Sequence, residues 1–132
     1  MNIKLNIYIF YLFLFINSNS VIARTEKIKA SLYEIEFLET SIYNFKNDVG
    51  RFPTQDEGLK SLIMLEKNIH NWKGPYINKL NLPLDSWGHE YIYLFPSKYG
   101  SKEYDLYSYG EDGVDQYGLG DDITNWKTRK PD

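Results

Sequence analysis

The stretch SYGEDGVDQYGLGDDITNW, Ser108 to Trp126, places Glu111, Asp112, Asp115, Asp121 and Asp122 among Gly110, Gly113, Gly118 and Gly120. Like charges repel, and each glycine adds backbone freedom that folding must remove. Such a loop is either solvated or held together by a cation. Calcium takes about six to eight oxygens from carboxylates, backbone carbonyls and water in flexible geometry. Short aspartates that reach inward and glycines that let carbonyls turn supply both kinds of oxygen. The stretch is not an EF-hand, because Asp112 is followed by Gly113 and Val114 rather than by acids at alternate positions. The chain has no cysteine and only two histidines, so donors for zinc or a softer metal are lacking. His89, the histidine nearest in sequence, reads as a surface or internally satisfied side chain. The residues alone leave calcium and a solvated acidic loop both open.

Little else suggests reaction chemistry. There is no cysteine nucleophile and no G-x-S-x-G, and His70 and His89 both fall in an irregular middle segment. No enzymatic activity is expected. A net formal charge of −3 argues against nucleic acid, which requires a basic face. Aromatic residues make up 17% of the chain, twelve of them tyrosines. Tyr76, Trp87, Tyr91, Tyr93 and Tyr107 could form a stacking surface for sugars or peptides, which would make the chain a stand-alone calcium-stabilised binding module. Alternatively they pack between helix and sheet.

The elements that would position the loop are legible. Ile28, Leu32, Ile35, Leu38, Ile42, Phe45 and Val49 recur at helical spacing, which predicts an amphipathic helix over 24–48. Gly50 follows as a C-cap, and Pro53 bars continuation. Thr54 and Glu57 form a capping box for a second, shorter helix, with Leu59, Leu62, Ile63 and Leu65 facing inward. YIYLF (Tyr91 to Phe95) and EYDLYSY (Glu103 to Tyr109) predict an antiparallel hairpin across PSKYGSK, and DITNW adds a short third strand. In the second of these, alternation puts Tyr104, Leu106 and Ser108 on one face and Asp105, Tyr107 and Tyr109 on the other. The tail KTRKPD is expected to fray.

Residues 1–23 read differently. Lys4 precedes an apolar run from Leu5 to Ile16, and NSNSVIA follows, which is the layout of an export signal cut after Ala23. The run is short for a bilayer span of about 20 residues, so cleavage is the first expectation and an uncleaved anchor the second. The folded domain is then 24–132, exported to the periplasm or beyond if cleaved, or anchored in the inner membrane if not. Without a disulfide it must hold by its core, or by a core plus a metal.

Several stretches resemble the major pseudopilin of type II secretion systems, protein G. DVGRFPTQDEGLKSL is similar to its D-x-G-R-Y-P-T-x-x-x-G-L-x-x-L, and WKGPYINKL to its W-x-G-P-Y-L. DSWGHEYIY resembles D-P-W-G-x-x-Y-x-Y, and EYDLYSYGEDG with DDITNW resembles Y-D-L-x-S-x-G-x-D-G and D-I-x-x-W. These run in family order over some 80 residues, from about Asn47 to Trp126. The resemblance implies an α+β pilin-like fold: a long N-terminal helix packed on a short helix and a small C-terminal antiparallel sheet with a calcium loop. It further implies a subunit of a short periplasmic filament, with other pseudopilins or envelope secretion components as partners and a membrane involved only if residues 1–23 are kept. It also implies a structural calcium held by Asp112, Asp121 and Asp122, with backbone carbonyls from Tyr109 and the Leu119 region. The loop is one residue shorter than the family pattern, and Asp115 is off-pattern and expected to face solvent. Ser86 stands where the family usually has proline, and His89 where asparagine is common. The family's Gly-Phe-Thr-Leu-(Ile/Leu)-Glu processing motif is not found, so a soluble periplasmic accessory is expected rather than a self-polymerising subunit.

Overall fold

The computed structural model describes residues 3–64, 68–100 and 103–126. Its dominant element is one unbroken helix, α1, Ile3–Val49, of 47 residues. At 1.5 Å per residue it extends about 70 Å. The helix therefore does not begin at Arg24, as the amphipathic stripe alone suggests. It runs through the apolar segment without a break at Ala23. The described side chains between Ile7 and Lys27 are all exposed, and burial begins around Ile28 and Ser31.

The core face of α1 consists of Ile35, Leu38, Ile42 and Phe45, none more than 2% exposed. Leu32, expected on this face, is instead 37% exposed, and Ser31 is buried. The reason is angular: Ser31 lies seven residues before Leu38 and four before Ile35, on the centre of the stripe. Leu32 is turned about 100° away from it. The helix ends as predicted at Gly50, whose φ of 85° is left-handed and whose N–H reaches Lys46 O at 2.7 Å.

The capping box also forms. Glu57 N donates to Thr54 Oγ1 at 3.3 Å, and Thr54 N donates to Glu57 Oε2 at 2.8 Å. The element beyond it is a single 3₁₀ turn, Leu59–Leu62, rather than an α-helix. Gly58, at φ 51° and ψ −163°, breaks the helical path just after the box. Leu59 and Leu62 are buried and Ile63 partly so, while Leu65 lies outside the described residues, as does the tail KTRKPD.

The rest of the head contains three antiparallel strands: β1 (Ile92–Leu94), β2 (Asp105–Ser108) and β3 (Ile123–Thr124), in the order β1-β2-β3. Tyr93 pairs with Leu106 across β1 and β2, and Ser108 with Ile123 across β2 and β3. Neither face of β2 is open to solvent, for all four of its residues are buried. The core covers Leu106. On the other face Tyr107 packs edge-on against Trp126, ring centroids 5.7 Å apart, and against Tyr109 at 6.1 Å. Asp105 folds the hairpin turn over itself, accepting from Ser97 Oγ at 2.6 Å and from the amides of Lys98, Tyr99 and Gly100 at 2.6, 2.9 and 2.9 Å. Burial opposes its ionisation, but these donors outweigh it and hold its pKa below the ordinary value.

The proposed aromatic ligand surface does not exist as a surface. Tyr91, Tyr93 and Tyr107 are 7%, 6% and 1% exposed, and Tyr76 and Trp87 pack partly buried against the core. Tyr91 and Tyr93 donate their hydroxyls inward, to Ser31 O at 3.2 Å and Pro53 O at 2.9 Å.

Candidate metal centre

The acidic loop joins the end of β2 to the start of β3, so adjacent antiparallel strands bring its two ends together. Gly110 makes that closure possible. A Cβ there would stand 2.3 Å from the Asp121 carbonyl oxygen, and the residue sits at φ 68°. With the ends in contact, Asp121 Oδ2 accepts from the amides of Glu111 at 2.9 Å and Asp112 at 3.2 Å. Asp112 accepts from Val114 N at 2.8 Å through Oδ1 and from Gln116 Nε2 at 2.9 Å through Oδ2. Gln116 Oε1 in turn accepts Asp121 N at 3.1 Å. Asp112 and Asp121 are thus brought together, with Gln116 as the link.

Asp122 faces inward and is 2% exposed. Its Oδ2 accepts from Gln116 N at 3.1 Å and Gly118 N at 2.7 Å. Its Oδ1 is buried with no hydrogen-bond partner. Burial raises its pKa against those two amides, and the neighbouring charges of Asp115 and Asp121 add to the rise. Leu119 is exposed, and its carbonyl accepts Asp122 N at 3.0 Å with its second lone pair still available. The Tyr109 ring packs on Tyr107, with its backbone at the mouth of the loop. Asp115 is not solvent-facing as expected. It is partly buried, accepting from Tyr117 N at 2.9 Å and facing the Tyr107 hydroxyl at 3.4 Å, because the chain turns back over β2 there.

Among the described residues, no three His, Cys, Asp or Glu side chains gather as a metal centre. The donor set nevertheless fits calcium in kind. A buried carboxylate oxygen without a partner is unfavourable by several kcal/mol unless it is neutralised or paired. Asp122 Oδ1 is such an oxygen, and a hard cation would satisfy it. The residues that would hold the ion are Asp112, Asp121 and Asp122, with the Tyr109 and Leu119 carbonyls. Gln116 and Gly110 organise this loop and carry no sequence signal as strong as the acids do. The one cue to Gly110 is its place directly after a strand, in a loop whose ends must meet. His89 is internally satisfied as expected, its Nδ1 3.3 Å from Asp85 Oδ2, while His70 is exposed.

The family model for type II secretion system protein G matches residues 20–126. The type II secretion system core protein G of Escherichia coli K12 is 38% identical over 111 residues, spanning 81% of this chain and 72% of that protein. The Klebsiella pneumoniae protein of the same name is 37% identical over 97 residues, spanning 70% of this chain and 65% of its own. The crystal structure of the major pseudopilin from the type 2 secretion system of enterohaemorrhagic E. coli superposes with a TM-score of 0.65 at 30% identity, covering 77% of this chain and 88% of that one. Sequence and fold agree over most of the chain, and on that agreement this chain belongs to the protein G family, the major pseudopilins of type II secretion systems.

Proposed function

We propose that this chain is a structural subunit of a type II secretion pseudopilus, assembling with other pseudopilins, with a calcium ion ordering the loop between β2 and β3. The observation that carries the assembly reading is the continuity of α1. Its first half is long and apolar enough to cross a membrane, and no described side chain in that window is buried. An export signal cut after Ala23 would discard this segment and leave a head without a stalk. The retained anchor is favoured because the helix passes through Ala23 and Arg24 unbroken. N-terminal sequencing of the protein recovered from envelope fractions tests this. An intact segment before Arg24 in the membrane fraction is expected, whereas a mature start at Arg24 in the soluble fraction would overturn it.

Calcium is supported by the unpartnered Asp122 Oδ1 and by the match of Asp112, Asp121 and Asp122 to the family's loop. Binding stabilises by RT ln(1 + [L]/Kd), so calcium at ~100 times Kd adds ~2.7 kcal/mol. Melting temperature is expected to rise in millimolar calcium relative to chelator, and Asp112→Ala or Asp122→Asn to remove the rise. Identical melting curves for the wild type in calcium and in chelator would exclude the ion.

A further inference from the structure

A line of hydrogen bonds leads from α1 to the first residues of the acidic loop through a turn that reads as irregular in the sequence. The turn between Leu84 and Glu90 is built on Asp85, whose side chain is 0% exposed. Its Oδ1 accepts Trp87 N at 2.9 Å and His89 N at 2.8 Å. Its Oδ2 accepts the Ser108 hydroxyl in a short hydrogen bond and faces His89 Nδ1. Ser108 Oγ then accepts Gly110 N at 3.0 Å. Tyr109 lies between these two residues, so both ends of its backbone are fixed from Asp85. The His89 ring adds a second contact, for its Nε2 stands 2.9 Å from where a Cβ on Gly113 would be.

The turn is itself pinned to the helix. Ser86 N donates to Ser31 Oγ at 3.1 Å, Ser31 Oγ donates to Ser86 Oγ at 3.0 Å, and Ser86 Oγ donates to Lys27 O at 2.9 Å. Proline at position 86 could make none of these bonds. This chain therefore holds Asp85 against α1 with a linked pair of hydroxyls.

We infer that Asp85 is a positioning residue for the calcium loop, acting through Ser108 and Gly110 to set the Tyr109 carbonyl, with Ser86 and Ser31 locking it to α1. This rests on the calcium reading above. Residues that hold a metal's ligands in place typically cost 10–100-fold in affinity when changed. Asp85→Asn is the informative variant. Its one remaining acceptor can still serve the amides of Trp87 and His89, while its NH₂ turns a donor toward Ser108. Ser108→Ala cuts the same line at its other end with little change in volume.

The test is calcium affinity by titration calorimetry on the full chain in detergent, together with amide hydrogen exchange of the calcium-free protein. Both variants are expected to weaken calcium at least ~10-fold and to speed exchange at Gly110 through Asp122. A calcium Kd within twofold of wild type in both variants, even with a lowered melting temperature, would mean that Asp85 merely supports the fold, and would overturn the inference. If the wild type itself binds no calcium, the metal reading fails by itself and exchange decides alone. Unchanged exchange at Gly110 in both variants then overturns the positioning role, and faster exchange upholds it.

Discussion

Glu57 and Asp122 are two carboxylates pushed in opposite directions. Glu57 accepts both guanidinium nitrogens of Arg51, at 2.6 and 2.7 Å, and Thr54 N at 2.8 Å. The Arg51 hydrogen bond is the main cause that holds its pKa down to about 2, against an opposing burial penalty. A carboxyl whose folded pKa is depressed stabilises the fold above its ordinary pKa of 4.5 and loses that contribution as pH falls from there toward 2. Because Arg51 is 45% exposed, solvent screening keeps the effect modest. Glu57→Gln is expected to cost about 1 kcal/mol at pH 7, and wild type and variant should converge near pH 2 in urea unfolding. A gap that persists at low pH would trace the loss to packing instead. Asp122 has the reverse sign. Burial raises its pKa, so without a cation its ionisation destabilises the fold as pH rises, and the proposed calcium ion would offset that penalty.

At the scale of elements, the sequence made legible what local spacing encodes: the α1 stripe, its glycine stop, the capping box, the hairpin and the third strand. The departures have physical causes that lie outside any short window. An apolar run followed by small residues fits an export signal and a helix equally well, so the N-terminal half of α1 is not separable from a leader by pattern. The second helix shrinks to one turn because Gly58 takes a left-handed φ that only the folded context demands. Asp85 and Asp105 carry no local mark of burial, since a buried carboxylate is recognisable only by the amides brought to it from elsewhere in the fold. The loop's acids are legible by type, but Gln116 as their link is not, because its contacts depend on how the loop closes. Two glycines separate local from tertiary demands. Gly50 has φ 85° and nothing within 4 Å of an added Cβ, so Gly50→Ala should cost only the backbone strain, about 1 kcal/mol. Gly110→Ala adds a collision with the Asp121 carbonyl and should cost more than about 2 kcal/mol. Urea midpoints of the two variants compare them directly, and equal losses would mean that the loop ends are not held in contact.

The whole molecule divides into a head that makes its own core and a helix that leaves it. Among the described residues the buried set begins at Ser31 and ends at Thr124, and Ile28 is the first residue packed against it. Before that, Ile7, Tyr8, Leu12, Phe15 and Ile22 are between 49% and 78% exposed. An apolar surface of this extent is not stable in water unless a bilayer or other helices cover it. The head, in contrast, keeps its helix-to-turn pin at Lys27, Ser31 and Ser86, its Arg24–Glu111 pair and its sheet without any residue before Arg24. A fragment of residues 24–132 should therefore fold cooperatively in plain buffer. Its melting temperature should lie within about 4 °C of the full chain's in detergent, since a shift of that size corresponds to less than about 1 kcal/mol in a domain of this size. Circular dichroism melts of the two forms measure this, and the full chain should partition into membranes or detergent while the fragment does not. A fragment that fails to melt cooperatively would show that the first half of α1 contributes to the fold of the head and is not merely its means of assembly.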